Sequence, residues 1–228
     1  MILAWLLIFI ILLFCMVIIK KFKPNHYLKH KVITSISKLI IKFFRIKIKV
    51  HNAQLIPKTG RLVIYANHKT NFDPFIIASI FPRTLSFTPK DELYKGIKGF
   101  FLSFCFNATD CIKIVRGNNR ETVKNCLTMI SKIEKNLVFL IFHEGGIITK
   151  DTDKITNSLD GSFQISLKSK SNILPITLKG VCDMRGKCWF RKKKVEIFIH
   201  SPILFEDFKT YKTQQINQKV TNQINSVL

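Results

Sequence analysis

The chain has 228 residues, 37 Lys plus Arg against 14 Asp plus Glu, a net charge of +23, and 47% hydrophobic residues including 20 Phe. This length suits one domain with a real core, and the apolar content excludes a disordered basic tail. A folded protein this basic seeks a polyanion, either nucleic acid or the anionic face of a bilayer.

The amino terminus favours the bilayer. Met1 to Ile19 contains no charged side chain, and Lys20, Lys21 and Lys23 follow at once. At helical rise this run spans roughly 28 Å, about one hydrocarbon core. No basic stretch precedes it and no small-residue cleavage site follows, so a retained anchor is expected over residues 1–24. The trailing lysines would keep the rest of the chain on the cytoplasmic side. A helix lying in the interface plane is the alternative.

Residues 25–49 hold a basic amphipathic segment and a first strand, and 50–228 the remaining domain. Val32, Ile33, Ile36, Leu39, Ile40, Phe43 and Phe44 recur at helical spacing among Lys31, Lys38, Lys42 and Arg45. That helix suits both core docking and a membrane surface. Ile46 to Val50 alternates like a half-exposed strand, and Leu62 to Ala66 is a continuous apolar run typical of a buried one. A short helix over Pro74 to Phe81, a strand over Leu85 to Thr88, a helix over Leu93 to Phe106 and a strand over Cys111 to Val115 follow. Asn118 to Asn136 reads as helix, Leu137 to Phe142 as strand, Ser162 to Lys170 as helix, Ile173 to Leu178 and Val195 to Ile199 as strands, and Phe208 to Leu228 as a polar closing helix. This alternation predicts a single α/β domain, a mixed central sheet flanked by helices, with ligands gathering at strand ends.

Directly after the run Leu62 to Ala66 stand Asn67 and His68, with Asp73 five residues beyond His68 and Pro74 after it. On a continuous helix that offset rotates the side chains apart by about 140°, so the pair can meet only across a tight loop. A neutral imidazole oriented by a carboxylate is a general base poised near neutral pH. Taken alone, Asp73 before Pro74 also suits a helix N-cap, and His68 a loop histidine.

Asn67-His68-Lys69-Thr70-Asn71-Phe72-Asp73-Pro74 resembles the N-H-x-S-x-x-D motif of the glycerophospholipid acyltransferase family. Cys111-Ile112-Lys113-Ile114-Val115-Arg116-Gly117-Asn118, Phe142-His143-Glu144-Gly145-Gly146 and Ile173-Leu174-Pro175-Ile176 resemble further blocks of that family, in the same order. Lys90-Asp91-Glu92-Leu93 resembles its K-x-E-L segment, so the likeness runs from about Val50 to Gly180.

The resemblance implies that His68 deprotonates an acceptor hydroxyl, that Asp73 orients it, and that the oxygen attacks an acyl thioester carried by coenzyme A or acyl carrier protein. It implies the family's best-known acceptor, 1-acyl-sn-glycerol-3-phosphate, with phosphatidic acid as product. Arg116 would grip the acceptor phosphate, with Lys90 as a further cation, and Asn67, Thr70, Glu144 and Gly145 would complete the substrate site. Backbone N–H groups at the Asp73-Pro74 helix start or the Gly145-Gly146 turn could hold the oxyanion.

The third block departs from the usual F-P-E-G-T-R: His143, Gly146 and Ile147 replace Pro, Thr and Arg. An apolar Ile147 cannot bind phosphate, which leaves Arg116 and either Lys90 or Lys150, or points to an acceptor with another head group. His143 itself reads as a loop histidine before a catalytic one. His26, His30, His51 and His200 lack metal-ligand spacing, so metal-independent chemistry with no cofactor is expected, with membrane lipids, the thioester and the lysophospholipid as partners. A nucleic-acid binder and a non-catalytic membrane module are the rival classes; no nucleic-acid motif is present, and nucleic acid is not an expected partner.

Overall fold

The computed structural model of the chain describes residues 10–11, 14–114, 119–149, 151–184, 186 and 191–228. Six strands, Ile46–His51 (β1), Leu62–Ala66 (β2), Leu85–Phe87 (β3), Val138–Ile141 (β4), Asn172–Lys179 (β5) and Lys193–Ile199 (β6), form one mixed sheet in the order β1-β6-β5-β2-β4-β3. The four strands β5, β2, β4 and β3 run parallel to one another, whereas β6 is antiparallel to β5 and pairs in parallel with β1. The chain therefore leaves β2, β3, β4 and β5 at the same end of the sheet, and the motif blocks that begin at Asn67, Lys90 and Phe142 emerge there.

The apolar runs lack alternation because both sheet faces are covered. Leu62, Ile64 and Ala66 of β2 join Leu174, Ile176 and Leu178 of β5 on one face. They pack under the helices Tyr27–Phe43 (α1) and Asp73–Ile80 (α2), through Ile33, Ile41, Ile76 and Ile77. Val63 and Tyr65 point the other way, with Phe139 and Ile141 of β4. They meet helices Asn119–Glu134 (α4), Gln164–Ser169 (α5) and Thr213–Asn225 (α6). The period-two side-chain pattern of β2 thus feeds two cores from five residues.

Helix α1 divides its apolar surface between two neighbours. Its most buried row is Lys29, Ser37, Ile33 and Ile41, at four-residue spacing, while Val32 and Ile36 cover Met16 and Ile19 of the amino-terminal segment. Lys29 is tolerated inside because Asp110 pairs with it, and Lys132 reaches the same carboxylate at 3.0 Å. Helix Gly96–Ala108 (α3) also contributes to this third cluster, through Phe104, Cys105 and Ala108.

Two expectations need correction, and a third lies mainly beyond what is described. Cys111 to Ile114 is extended but makes only one bridge, Lys90↔Ile114. Ile112 and Ile114 donate to the carbonyls of Phe87 and Pro89, so the segment lengthens the β3 edge without a full ladder. The closing helix starts only at Thr213, because Phe208 is buried and the chain turns through Tyr211 first. The expected span, Met1 to Ile19, falls mainly outside the described residues; among those described, no helix is long and apolar enough to cross a membrane.

Candidate active site

At the carboxyl end of β2 the chain turns sharply before α2, and this turn brings His68 and Asp73 together. His68 Nδ1 lies 2.9 Å from Asp73 Oδ2. Asp73 is fully buried, and the same oxygen accepts the backbone N–H groups of Lys69 at 2.6 Å and Thr70 at 2.8 Å. Its other oxygen accepts the Thr70 hydroxyl. Asp73 is therefore not a helix cap. Helix α2 begins at Asp73 itself, with Pro74 in its first turn, and the carboxylate reaches back into the loop.

A carboxylate with this many donors is held fixed, and as an acceptor it selects the His68 tautomer that carries its proton on Nδ1. Nε2 is left as the basic nitrogen. The His68 ring stacks on Phe142 at 4.1 Å between centroids, 15° from parallel, and its side chain is 16% exposed. Its orientation is thus set from two sides, and part of the side chain remains open to solvent.

The second support comes from the loop after β4. The turn Phe142 to Gly145 closes with the Gly145 N–H donating to the Phe142 carbonyl, and Gly145 has φ of +73°, which favours glycine. Glu144 inside this turn accepts the His68 N–H at 2.7 Å through Oε1 and Lys69 Nζ at 2.6 Å through Oε2. Lys69 is wholly buried and also donates to Thr149 Oγ1 and the Lys154 carbonyl, so each of its three donors has an acceptor. Burial pushes the Glu144 carboxyl up, and Lys69 and the His68 N–H oppose that shift.

Of the expected substrate contacts, the structure commits three to internal bonds. Asn67, fully buried, donates to the carbonyls of Asp153 and Leu178 and accepts the Leu178 N–H, which stitches the ends of β2 and β5. Thr70 is spent on Asp73 and on the Phe72 N–H, and Glu144 on His68 and Lys69. Gly145 shapes the turn. Lys90 is half-buried and paired by its backbone with Ile114, at the described end of the segment leading to Arg116. Arg116 and Lys150 lie outside the described residues.

Sequence reasoning missed Lys69 and Phe142. The one available signal for Lys69 was a lone positive charge in an otherwise apolar and polar stretch from Leu62 to Phe81 that also holds the motif. Asp153 was also missed: its carboxylate accepts the N–H groups of Gly180 and Cys182, which fixes the exit from β5.

His143 is a structural residue. It is buried between Tyr65 and Phe163 at ring-centroid distances of 5.8 and 5.4 Å, and its Nε2 is 3.1 Å from Thr221 Oγ1. Burial pushes its pKa down to about 4 from 6.5. A base depressed in the folded state contributes fully above pH 6.5 and weakens the fold as pH drops through 6.5 towards 4. The loss reaches roughly 3 kcal/mol by pH 4. We expect His143→Gln to remove that part of the acid slope, measured as the difference in urea unfolding free energy between pH 7 and pH 4 for the two proteins.

An imidazole held by a carboxylate, with no side-chain nucleophile hydrogen-bonded to it among the described residues, is suited to act as a general base on an acceptor hydroxyl. The profile of the family described as "Acyltransferase" matches residues 47–179. A Mycoplasma pneumoniae protein described as a probable 1-acyl-sn-glycerol-3-phosphate acyltransferase is 23% identical over 88% of this chain and 79% of its own length. A Mycoplasma genitalium protein with the same description is 29% identical over 79% of this chain and 65% of its own. The crystal structure of the 1-acyl-sn-glycerophosphate (LPA) acyltransferase PlsC from Thermotoga maritima shares the fold, with a TM-score of 0.65 and 18% identity over 96% of this chain and 95% of that one. With the family profile matched over more than half of its length, the chain belongs to the acyltransferase family and is an acyltransferase.

Proposed function

We propose that the chain transfers a fatty acyl group from an acyl thioester, coenzyme A or acyl carrier protein bound, to the free hydroxyl of 1-acyl-sn-glycerol-3-phosphate, forming phosphatidic acid at the cytoplasmic face of the cell membrane. The observation that carries this reading is the His68–Asp73 contact with Nε2 left open beside Phe142. The relatives described as probable 1-acyl-sn-glycerol-3-phosphate acyltransferases support the acceptor. The lysines at 20, 21 and 23 support the cytoplasmic side.

In this mechanism His68 Nε2 takes the proton of the acceptor hydroxyl as its oxygen forms a bond to the thioester carbonyl carbon. The tetrahedral adduct collapses, the carbon–sulfur bond breaks, and the imidazolium returns the proton to the departing thiolate. Asp73 stabilises the imidazolium without taking the proton. Asn67, Thr70, Glu144 and Gly145 position the two loops, and Arg116, with Lys90 as a further cation, holds the phosphate.

The test compares lysophosphatidic acid with a monoacylglycerol of the same chain length. We expect a strong preference for the phosphate-bearing acceptor, and expect Arg116→Ala to raise its KM by roughly 10- to 100-fold, the range for losing a charged hydrogen bond. Ile147 at the position of the family's arginine favours a second reading, an acceptor without a phosphomonoester. Preference for the monoacylglycerol, with Arg116→Ala inert, would establish that reading instead.

A further inference from the structure

Single exposed apolar residues are ordinary, whereas a contiguous group of them marks a contact surface. The preceding turn Asp91–Tyr94 and helix α3 carry such a group: Leu93, Ile97, Phe100, Phe101 and Leu102 are all exposed, Ile97 at 85% and Phe100 at 74%. Ile97, Phe100 and Phe101 share one helix face by their three- and four-residue spacing. That face is held outward by the opposite one. A Cβ at Gly99 would meet the Tyr94 backbone at 2.3 Å, so the turn folds directly onto the helix there, and Tyr94 packs against Phe106.

Three further observations indicate what covers this face. The carboxyl half of α3 packs Phe104, Cys105 and Ala108 against Met16 and Ile19, so the patch is continuous with the amino-terminal segment, whose Phe14, Val17 and Ile18 are exposed as well. Cations rim it: Lys95 is exposed, and Lys20 lies 5.8 Å over the Phe104 ring with Lys21 and Lys23 exposed nearby in sequence. The helix follows β3, which is parallel to β4 and β2, so it stands at the sheet end that carries His68 and Glu144.

We propose that α3 is a second membrane-docking element, its Ile97-Phe100-Phe101 face seated in the acyl region of an anionic monolayer beside the amino-terminal segment. An apolar ridge with a basic rim fits that occupant, since the rings enter the acyl boundary while the lysines meet anionic head groups. The consequence is positional: the exposed part of His68 is held at the lipid surface, where an acceptor with its acyl chain still in the monolayer can reach it. This inference rests on the reading of the site as a lipid acyltransferase.

Two measurements on the full-length chain test it. In a Trp5→Phe, Trp189→Phe background, Phe100→Trp or Tyr211→Trp supplies one reporter, and vesicles of phosphatidylcholine and phosphatidylglycerol carry brominated acyl chains. We expect the reporter at 100 to shift to the blue and to be quenched several-fold more than the one at 211. An unquenched reporter at 100 on chain that sediments with the vesicles would overturn the proposal. So would a lipid-independent blue shift that grows with protein concentration, which would assign the face to a second copy of the chain.

In the second measurement, the combined variant Ile97→Ser, Phe100→Ser, Phe101→Ser should keep its turnover of a monomeric short-chain acceptor and lose about 10-fold on the same head group embedded in vesicles. Wild-type-like turnover on vesicles would overturn the docking role. Failure of the unsubstituted protein on both acceptors would instead sink the acyltransfer reading on which the proposal rests.

Discussion

Replacing His68 with alanine is expected to lower acyl transfer from thioester to lysolipid by roughly 10²- to 10⁴-fold, the usual contribution of a positioned general base. The fold should survive the change. Asp73 keeps both backbone donors and the Thr70 hydroxyl, and the imidazole is the outermost part of the cluster, lying on Phe142. Far-ultraviolet circular dichroism and the unfolding midpoint should therefore match the parent protein while thiol release falls. Equal thiol release by the two proteins would remove His68 from the reaction.

The largest effect on stability is expected at Lys69. Its ammonium and the Glu144 carboxylate are both buried, 2.6 Å apart, in the layer between the two loops that build the site. Two such charges contribute little net stability as a pair, but removing one strands the other, at a cost of roughly 3–5 kcal/mol. Lys69→Met should thus unfold at a far lower urea concentration, and Lys69→Met with Glu144→Gln should recover most of the loss, because the amide oxygen still accepts the His68 N–H. The pH dependence has a definite sign. Burial already raises the Glu144 carboxyl, and Lys69 opposes the rise. Without Lys69 the folded state holds the Glu144 proton more tightly than the unfolded chain does, so the defect of Lys69→Met is greatest at neutral pH and shrinks as pH falls towards the ordinary carboxyl value of 4.5. A defect independent of pH would mean that packing, not charge, is what Lys69 supplies.

Legibility in the sequence followed the locality of the physics. Strand β2 falls on Leu62–Ala66 as the uninterrupted apolar run requires, and the His68–Asp73 meeting follows from a five-residue offset that only a loop can close. Both depend on neighbours within a dozen residues. Lys69 was obscure because its three acceptors stand on Glu144, Thr149 and Lys154, and a lysine by itself reads as solvated. Asn67 shows the same limit: its side chain answers Leu178, a partner visible only once β2 and β5 are paired. The Cys111 to Val115 run has strand composition, yet its described part only edges along the continuation of β3, because no further strand lies beyond it in the sheet order to complete a ladder. The exposed phenylalanines of α3 counted towards a wide apolar face in the sequence, and only the Gly99 contact tells which way that face turns.

The wiring of the dyad also bears on the order in which the protein becomes an enzyme during synthesis. Asp73 is anchored by atoms of residues 69 and 70, so its half of the site can assemble as soon as that stretch leaves the ribosome. His68 must wait for Glu144, and the end of β2 for Leu178. A nascent chain halted before Glu144 therefore lacks the acceptor for the His68 N–H, and one halted before Leu178 lacks the bonds that tie down the end of β2, so the complete arrangement comes late in synthesis.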